Sequence, residues 1–370
     1  MKIVIFGLSI SSAWGNGHAT LLRGLLRALH HQGHELHFFE RDVPYYASHR
    51  DVESLPYVHL NLYSDWDLEL PEVNRQIQEA DVAMVTSYCP DATGACELIL
   101  SANIQRTIFY DMDTPVTLNR INAGGHVEYI PKNGLSDFDL VLSYTGGEAL
   151  YQLKEKLGAR RVAPLYGWVD PAVHYRVPVS KAFEADLSYI GTFSADRQRA
   201  LEELLLAPAL QLPNRSFLIA GAMYPDPASW PANVRHFEHI APPDHAAFYS
   251  SSPITLNITR SSMAGMGFCP SGRLFEAAAC GTAVLSDWWL GLDTFFTPGE
   301  EILIADSTPD TLTVLAKDRA EWERIGTRAQ ERALDCHTAE IRAKRLVSLI
   351  EFPHDESSQA AERVMAGEQQ

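Results

Sequence analysis

Residues 2–40 read KIVIFGLSISSAWGNGHATLLRGLLRALHHQGHELHFFE, and their pattern decides the fold. The first seven, KIVIFGL, are apolar and β-branched almost without interruption. Such a run suits a strand buried on both faces of a parallel sheet. A loop rich in Ser and Gly follows from Ser9 to Gly17. Apolar residues then recur at helical spacing until Gly33 supplies a stop. ELHFFE reads as the next strand. Strand, glycine-containing loop, helix and strand make the βαβ unit of a doubly wound sheet.

The alternation continues outward from that unit. DVAMVTSY (81–88), QRTIFYDMD (105–113) and FDLVLSY (138–144) read as strands, with ATGACELILSAN (92–103) and Leu150 to Leu157 as helices. RVAPLYGWVDP closes the first half. Residues 171–186 carry Pro171 and Pro178 without periodicity, and read as a linker. A second series begins at DLSYIGTF (186–193). Its later strands are RSFLIAG, PITLNIT, TAVLSD and EILIAD; its helices are RQRALEELLL, SGRLFEAAACG and those from Pro309 to Ile350. The expected architecture is α/β, with two Rossmann-like doubly wound domains facing across a cleft. They span 1–170 (N-terminal) and 187–350 (C-terminal). A polar tail, 351–370, has the option of packing back on the N-terminal domain.

Composition narrows the function. With 370 residues the chain is long enough for two cores. A formal net charge of −17 disfavours nucleic acid as a partner, although local Arg and backbone N–H groups can still hold one phosphorylated ligand. Five cysteines, Cys89, Cys96, Cys269, Cys280 and Cys336, form neither a disulfide framework nor a zinc pattern. They fit a reducing, cytoplasmic setting. No segment has the length of a membrane span or the pattern of a signal peptide.

The stretch PSGRLFEAAACGTAVLSD (270–287) carries the most chemistry. Pro270, Ser271 and Gly272 turn the chain into a helix whose free N–H groups and dipole favour an anion such as a diphosphate. Arg273 adds a planar donor set suited to phosphate oxygens. Glu276, near the same helix end, suits the vicinal hydroxyls of a ribose. The competing reading is a capped helix, with Glu276 complementing the dipole and Arg273 solvated.

Two N-terminal loops come next. In SSAWGNGHA, Gly15 and Gly17 permit close backbone approach, and Asn16 and His18 sit where a βα loop opens. His18 is either a general base toward an acceptor hydroxyl or a polar residue opening a helix. In YDMDTP, Asp111 and Asp113 follow a strand. They could act as base, hold sugar hydroxyls or bind a metal, the last disfavoured because D-x-D is short of ligands. An Asx turn with Asp113 capping a helix competes. Tyr144, Gly146, Gly147 and Glu148 end a further strand at the same edge, where they either line the acceptor side of the cleft, as Gly15, Asn16, Gly17 and Asp113 would, or form a turn and helix start.

The run RLFEAAACGTAV resembles the donor-site helix of GT-B glycosyltransferases, most closely the CgeB-like (spore-maturation-type) family. FGLSISSAWGNGHA, YDMDTP, LVLSYTGGEAL, PLYGWVDP, YIGTFSADRQRAL and LNITRSSM match that family in order across nearly the whole chain. The resemblance implies a hexosyltransferase-type enzyme. It would move a sugar from a UDP- or dTDP-sugar to an acceptor hydroxyl without a metal or further cofactor. It implies that Glu276 holds the donor ribose. Gly191, Thr192 and Arg197 would face the diphosphate, as would Thr259 and Arg260. His239 and Ile240 would lie near the nucleobase. His18, Asp111 and Arg273 would carry the catalysis. One departure stands out: where many retaining GT-B enzymes have a second Glu, this chain has Phe268. The acceptor is left open between glycan, small molecule and protein. The alternatives are a nucleotide-sugar epimerase or hydrolase of the same fold, and a nucleotide-binding surface-assembly protein without catalysis. A nicotinamide enzyme is disfavoured: the first loop lacks G-x-G-x-x-G, and Glu40 is a weak ribose candidate.

Overall fold

The structure is a computed structural model that describes residues 1–352. The chain forms two compact units. Met1–Tyr166 is completed by the helix Ala339–Glu351, and Gly167–Thr338 forms the other.

The first unit is built on seven strands: β1 (Lys2–Gly7), β2 (Glu35–Arg41), β3 (His59–Tyr63), β4 (Val82–Thr86), β5 (Arg106–Asp111), β6 (Leu140–Ser143) and β7 (Val162–Pro164). Their order is β3-β2-β1-β4-β5-β6-β7, parallel throughout. Ile3, Val4, Ile5 and Phe6 of β1 are fully buried, as a central strand covered on both faces requires. The helix Gly17–His31 buries Leu22, Leu25, Leu26 and Leu29 along one face. The second unit repeats the plan with β8 (Leu187–Ile190), β9 (Phe217–Ala220), β10 (Val234–Phe237), β11 (Ile254–Asn257), β12 (Ala283–Ser286) and β13 (Leu303–Ile304). Their order is β10-β9-β8-β11-β12-β13, again parallel. Its core joins Leu187, Tyr189, Phe217, Ile219 and Leu256 to Trp322 and Ile325 of the helix Arg319–Cys336.

Both sheets therefore reverse direction beside their first strand, between β1 and β4 and between β8 and β11. At such a switch point the loops leaving the carboxyl ends diverge and open a crevice for a ligand. His18 follows β1, Gly191 and Thr192 follow β8, and Thr259 and Arg260 follow β11.

Two expectations change. The helix Ala339–Glu351, read from sequence as part of the C-terminal domain, packs on Gly17–His31 of the first unit. It buries Ala343, Leu346, Leu349 and Ile350, while Arg342 donates to the Tyr166 carbonyl and Arg106 to that of Ile350. The linker also differs: Gly167–Thr338 begins before it, tied by a bridge from Val169 to Thr338. The expected return of the tail falls on residues outside the described range from 353 onward. No helix among the described residues is long and apolar enough to cross a membrane.

Candidate functional site

In the second unit, side chains and backbone converge at the carboxyl ends of β8 and β9. The Gly191 N–H donates to the Ala220 carbonyl at 2.8 Å, and the Gly191 carbonyl accepts the Tyr224 hydroxyl at 3.0 Å. A Cβ on Gly221 would lie 2.0 Å from the Gly191 oxygen, so only glycine permits this approach. Gly191 in turn is crowded by Arg273: an added Cβ would sit 3.1 Å from its Nη2.

Arg273 is held on three sides. Its Nε donates to the Ile190 carbonyl at 2.6 Å, its Nη1 donates to Asn257 Oδ1 at 2.9 Å, and the guanidinium lies over the Tyr189 ring at 5.2 Å. These bonds fix the plane and leave most of the donors uncommitted. Arg197 approaches the same loop and donates through Nη2 to the Thr192 carbonyl at 2.6 Å, while its Nε is buried without a partner. Burial, with the positive charge of Arg273 nearby, lowers the pKa of the Arg197 guanidinium. Two cations thus meet one glycine turn, and among the described residues neither is paired with a carboxylate. Such a pair is costly alone and is stabilised by an anion.

Ser271 caps the helix Gly272–Ala279, its Oγ accepting the Arg273 N–H at 3.3 Å. Thr259 gives both its N–H and its hydroxyl to Asp287, whose carboxyl is pushed up to about 6 by burial. What Thr259 offers is a fixed loop rather than free donors. Arg260 pairs with Asp196 at 3.5 Å. His239 is exposed; Ile240 is buried and its carbonyl lies 3.2 Å from His245 Nε2. Phe268 is buried at a positive φ of 45°, its N–H bonded to the Leu290 carbonyl and its ring against Gly291. No carboxylate stands there.

Glu276 keeps different company from that expected. Its Oε2 accepts the Tyr249 hydroxyl at 3.0 Å, and His174 and His245 each bring a ring nitrogen to within 4.8 Å of it and of one another. Sequence reading missed these three partners. The histidine-dense HFEHIAPPDHAAFY was the available signal for two of them.

In the first unit, Glu40 organises the loop after β1. The hydroxyls of Ser9 and Ser11 and the N–H groups of Ile10 and Ser11 all donate to its buried carboxylate. A carboxylate so occupied has no capacity for a ribose. Asn16 caps Gly17–His31, accepting the His18 N–H and donating to the Ser9 and Ser12 carbonyls. Gly15 adopts φ 60°, whereas Gly17 has open space around it. His18 Nε2 lies 3.3 Å from Asp113 Oδ2. Asp113 precedes the helix Thr114–Asn122 but its side chain does not cap it, which leaves the carboxylate for His18.

Asp111, the alternative to His18 as a base toward the acceptor, is 0% exposed. Its Oδ1 accepts the Asp113 N–H, its Oδ2 makes no hydrogen bond within normal geometry among the described residues, and burial pushes the carboxyl up to about 6, partly offset by the Thr117 hydroxyl. It sits beneath the loop that Asp113 presents. Tyr144 is buried too and donates its N–H to the Asp111 carbonyl. Tyr88, at φ 63°, lies 5.8 Å from the His18 ring. Tyr88, Met223 and Phe268 are the three non-glycine residues at positive φ among those described; Tyr88 and Met223 lie in loops just beyond strand carboxyl ends, and Phe268 between the helices Ser261–Met266 and Gly272–Ala279. Backbone strain of this kind gathers at functional sites.

Over 98% of its length the chain superposes on sucrose-phosphate synthase from Thermosynechococcus elongatus, all of which is covered, with a TM-score of 0.69 at 16% identity. This is a GT-B fold. The GT-B structure of Anabaena HepE in complex with UDP-glucose matches 95% of the chain and 99% of its own, with a TM-score of 0.65 at 12% identity. An alpha-glucosyltransferase in complex with UDP-glucose and DNA containing an abasic site matches over the same shares, with a TM-score of 0.66 at 13% identity. Residues 197–348 match the model of a family described as glycosyl transferase-like. That segment contains Arg197, Arg273 and Glu276. No curated protein matches the chain.

Proposed function

We propose that this protein is a cytoplasmic glycosyltransferase of the CgeB-like type. It transfers a hexose from a UDP- or dTDP-sugar to an acceptor hydroxyl. The observation that carries this reading is the convergence of Arg197 and Arg273 on the Gly191–Thr192 turn at the switch point of the second sheet. The similar GT-B structures with UDP-glucose support the donor class, and the five cysteines, with no disulfide among the described residues, suit the compartment.

The chemistry follows from charge. The bond from the anomeric carbon to the diphosphate breaks as the acceptor oxygen bonds to that carbon. Positive charge grows on the sugar and negative charge on the leaving diphosphate. The two guanidinium groups and the N–H groups opening Gly272–Ala279 meet that negative charge where it develops, so the diphosphate needs no metal ion. His18 takes the acceptor proton, and Asp113 orients the ring and stabilises the imidazolium. Glu276 takes the ribose hydroxyls.

Titration of the purified protein with UDP, dTDP and GDP tests the reading. UDP or dTDP binds the wild type, and Arg273→Ala weakens it by about tenfold or more. Failure of all three to bind would sink the proposal. Donor consumption without an acceptor would mark a hydrolase or epimerase instead.

A further inference from the structure

The second unit holds a group of side chains, His174 buried and His245 and Glu276 half-buried, that phosphate recognition does not use. His174 lies in the turn after Asp170, its N–H bonded to the Asp170 carbonyl. His245 opens the helix His245–Ser250, and Glu276 lies in Gly272–Ala279. One ligating atom from each falls within 4.8 Å of the other two.

His174 is 3% exposed and neither ring nitrogen has a hydrogen-bond partner among the described residues. A neutral imidazole carries one N–H and one lone pair, and burial strips water from both with nothing in return. His245 is arranged differently. Its Nε2 faces the Ile240 carbonyl at 3.2 Å, which makes that nitrogen the donor and leaves a bare lone pair on Nδ1, also unpartnered. A backbone carbonyl on the far nitrogen is how metal-binding histidines are oriented. Glu276 is anchored comparably, by the Tyr249 hydroxyl on Oε2. A carboxylate has about four lone-pair sites, so others are left for a cation and for a ribose.

We propose that His174, His245 and Glu276 form a site for a divalent transition ion of the zinc class. Two imidazoles and a carboxylate are a three-ligand set with one position open. Imidazole donors favour zinc over magnesium or calcium, which take oxygen shells. Metal–ligand bonds of about 2.0–2.2 Å place ligand atoms roughly 3.4 Å apart, so atoms now within 4.8 Å of one another need close by at most about 1.4 Å around the ion. The ion ties the turn at 170–174 to two helices of the same unit. It departs from the metal-free expectation of the sequence. It shares Glu276 with the ribose reading but does not depend on it, because the two arginines meet the diphosphate without it.

The full chain, stripped with EDTA, is titrated with Co2+ followed by Zn2+. Visible bands of Co2+ in an N/O site appear, Zn2+ bleaches them at one ion per chain, and Zn2+ raises the melting temperature. His174→Phe and His245→Gln each weaken binding by about 100-fold or more, and Tyr249→Phe, which removes only a hydroxyl, by about tenfold. Absence of bands in the wild type overturns the proposal, as does unchanged Zn2+ affinity in His245→Gln or Tyr249→Phe. UDP titration of the stripped protein separates the two readings. UDP binding without Zn2+ binding removes the ion alone, and Zn2+ binding without nucleotide binding removes the transferase reading alone.

Discussion

Arg273 is fixed by a carbonyl, an amide oxygen and an aromatic face, and a lysine could not reproduce that arrangement. The ammonium keeps the charge but loses the planar fork. Arg273→Lys is therefore expected to lower turnover by about 100-fold, in the range of losing one fixed donor to developing charge. Steady-state kinetics with a UDP-sugar would check it. On the acceptor side, Asp113→Asn is expected to lower turnover while leaving UDP affinity unchanged, because it disturbs only the His18 ring. A matching loss of UDP affinity would contradict that division. Asp111 predicts a pH effect of definite sign. Its folded pKa lies above the ordinary carboxylate value, so the folded state holds the proton more tightly than the unfolded chain. The stability it contributes is complete below about pH 4 and is lost as pH rises through about 6. Asp111→Asn should thus be more stable than wild type at pH 7, by at most about 3 kcal/mol, and lose that advantage near pH 4. Urea midpoints at the two pH values would measure it. Asp287 titrates in the same range but is common to both proteins.

The loop after β1 depends on one carboxylate. Glu40→Ala would strand the Ile10 and Ser11 N–H groups and is expected to destabilise the first unit by about 2–4 kcal/mol. Calorimetry would register this as a lowered melting temperature. The strand-to-loop plan was legible in the sequence where strands are central: β1, β4, β5 and β11 each carry a run of buried, mostly apolar residues because both faces are covered. The edges were not. β3 reads HLNLY with most residues only half-buried, and β10 reads VRHF with none buried, so neither gives a buried-strand signal. The helix Trp66–Gln78 carries Pro71 inside it, which disguised it further. The arginine half of the candidate site was legible because motif and helix start coincide. The His174, His245 and Tyr249 surroundings of Glu276 were not, because the fold assembles them from distant segments.

At the scale of the molecule, the helix Ala339–Glu351 belongs to the first unit although it follows the second in sequence. A chain ended at Thr338 would uncover the surface that Leu346, Leu349 and Ile350 bury. The first unit is then expected to lose at least about 3 kcal/mol, while Gly167–Thr338 keeps its own core. Hydrogen exchange resolved by unit would check both halves of that statement. The interrupted order also bears on synthesis. Domains usually mature on the ribosome from the amino end onward. Here the second unit has all its residues before the first does. The earlier-made sheet must wait, with its helix Gly17–His31 lacking a cover, until translation reaches the last described turns. A nascent chain arrested just past Thr338 would thus hold a finished second unit beside an open first one, the natural client for a chaperone.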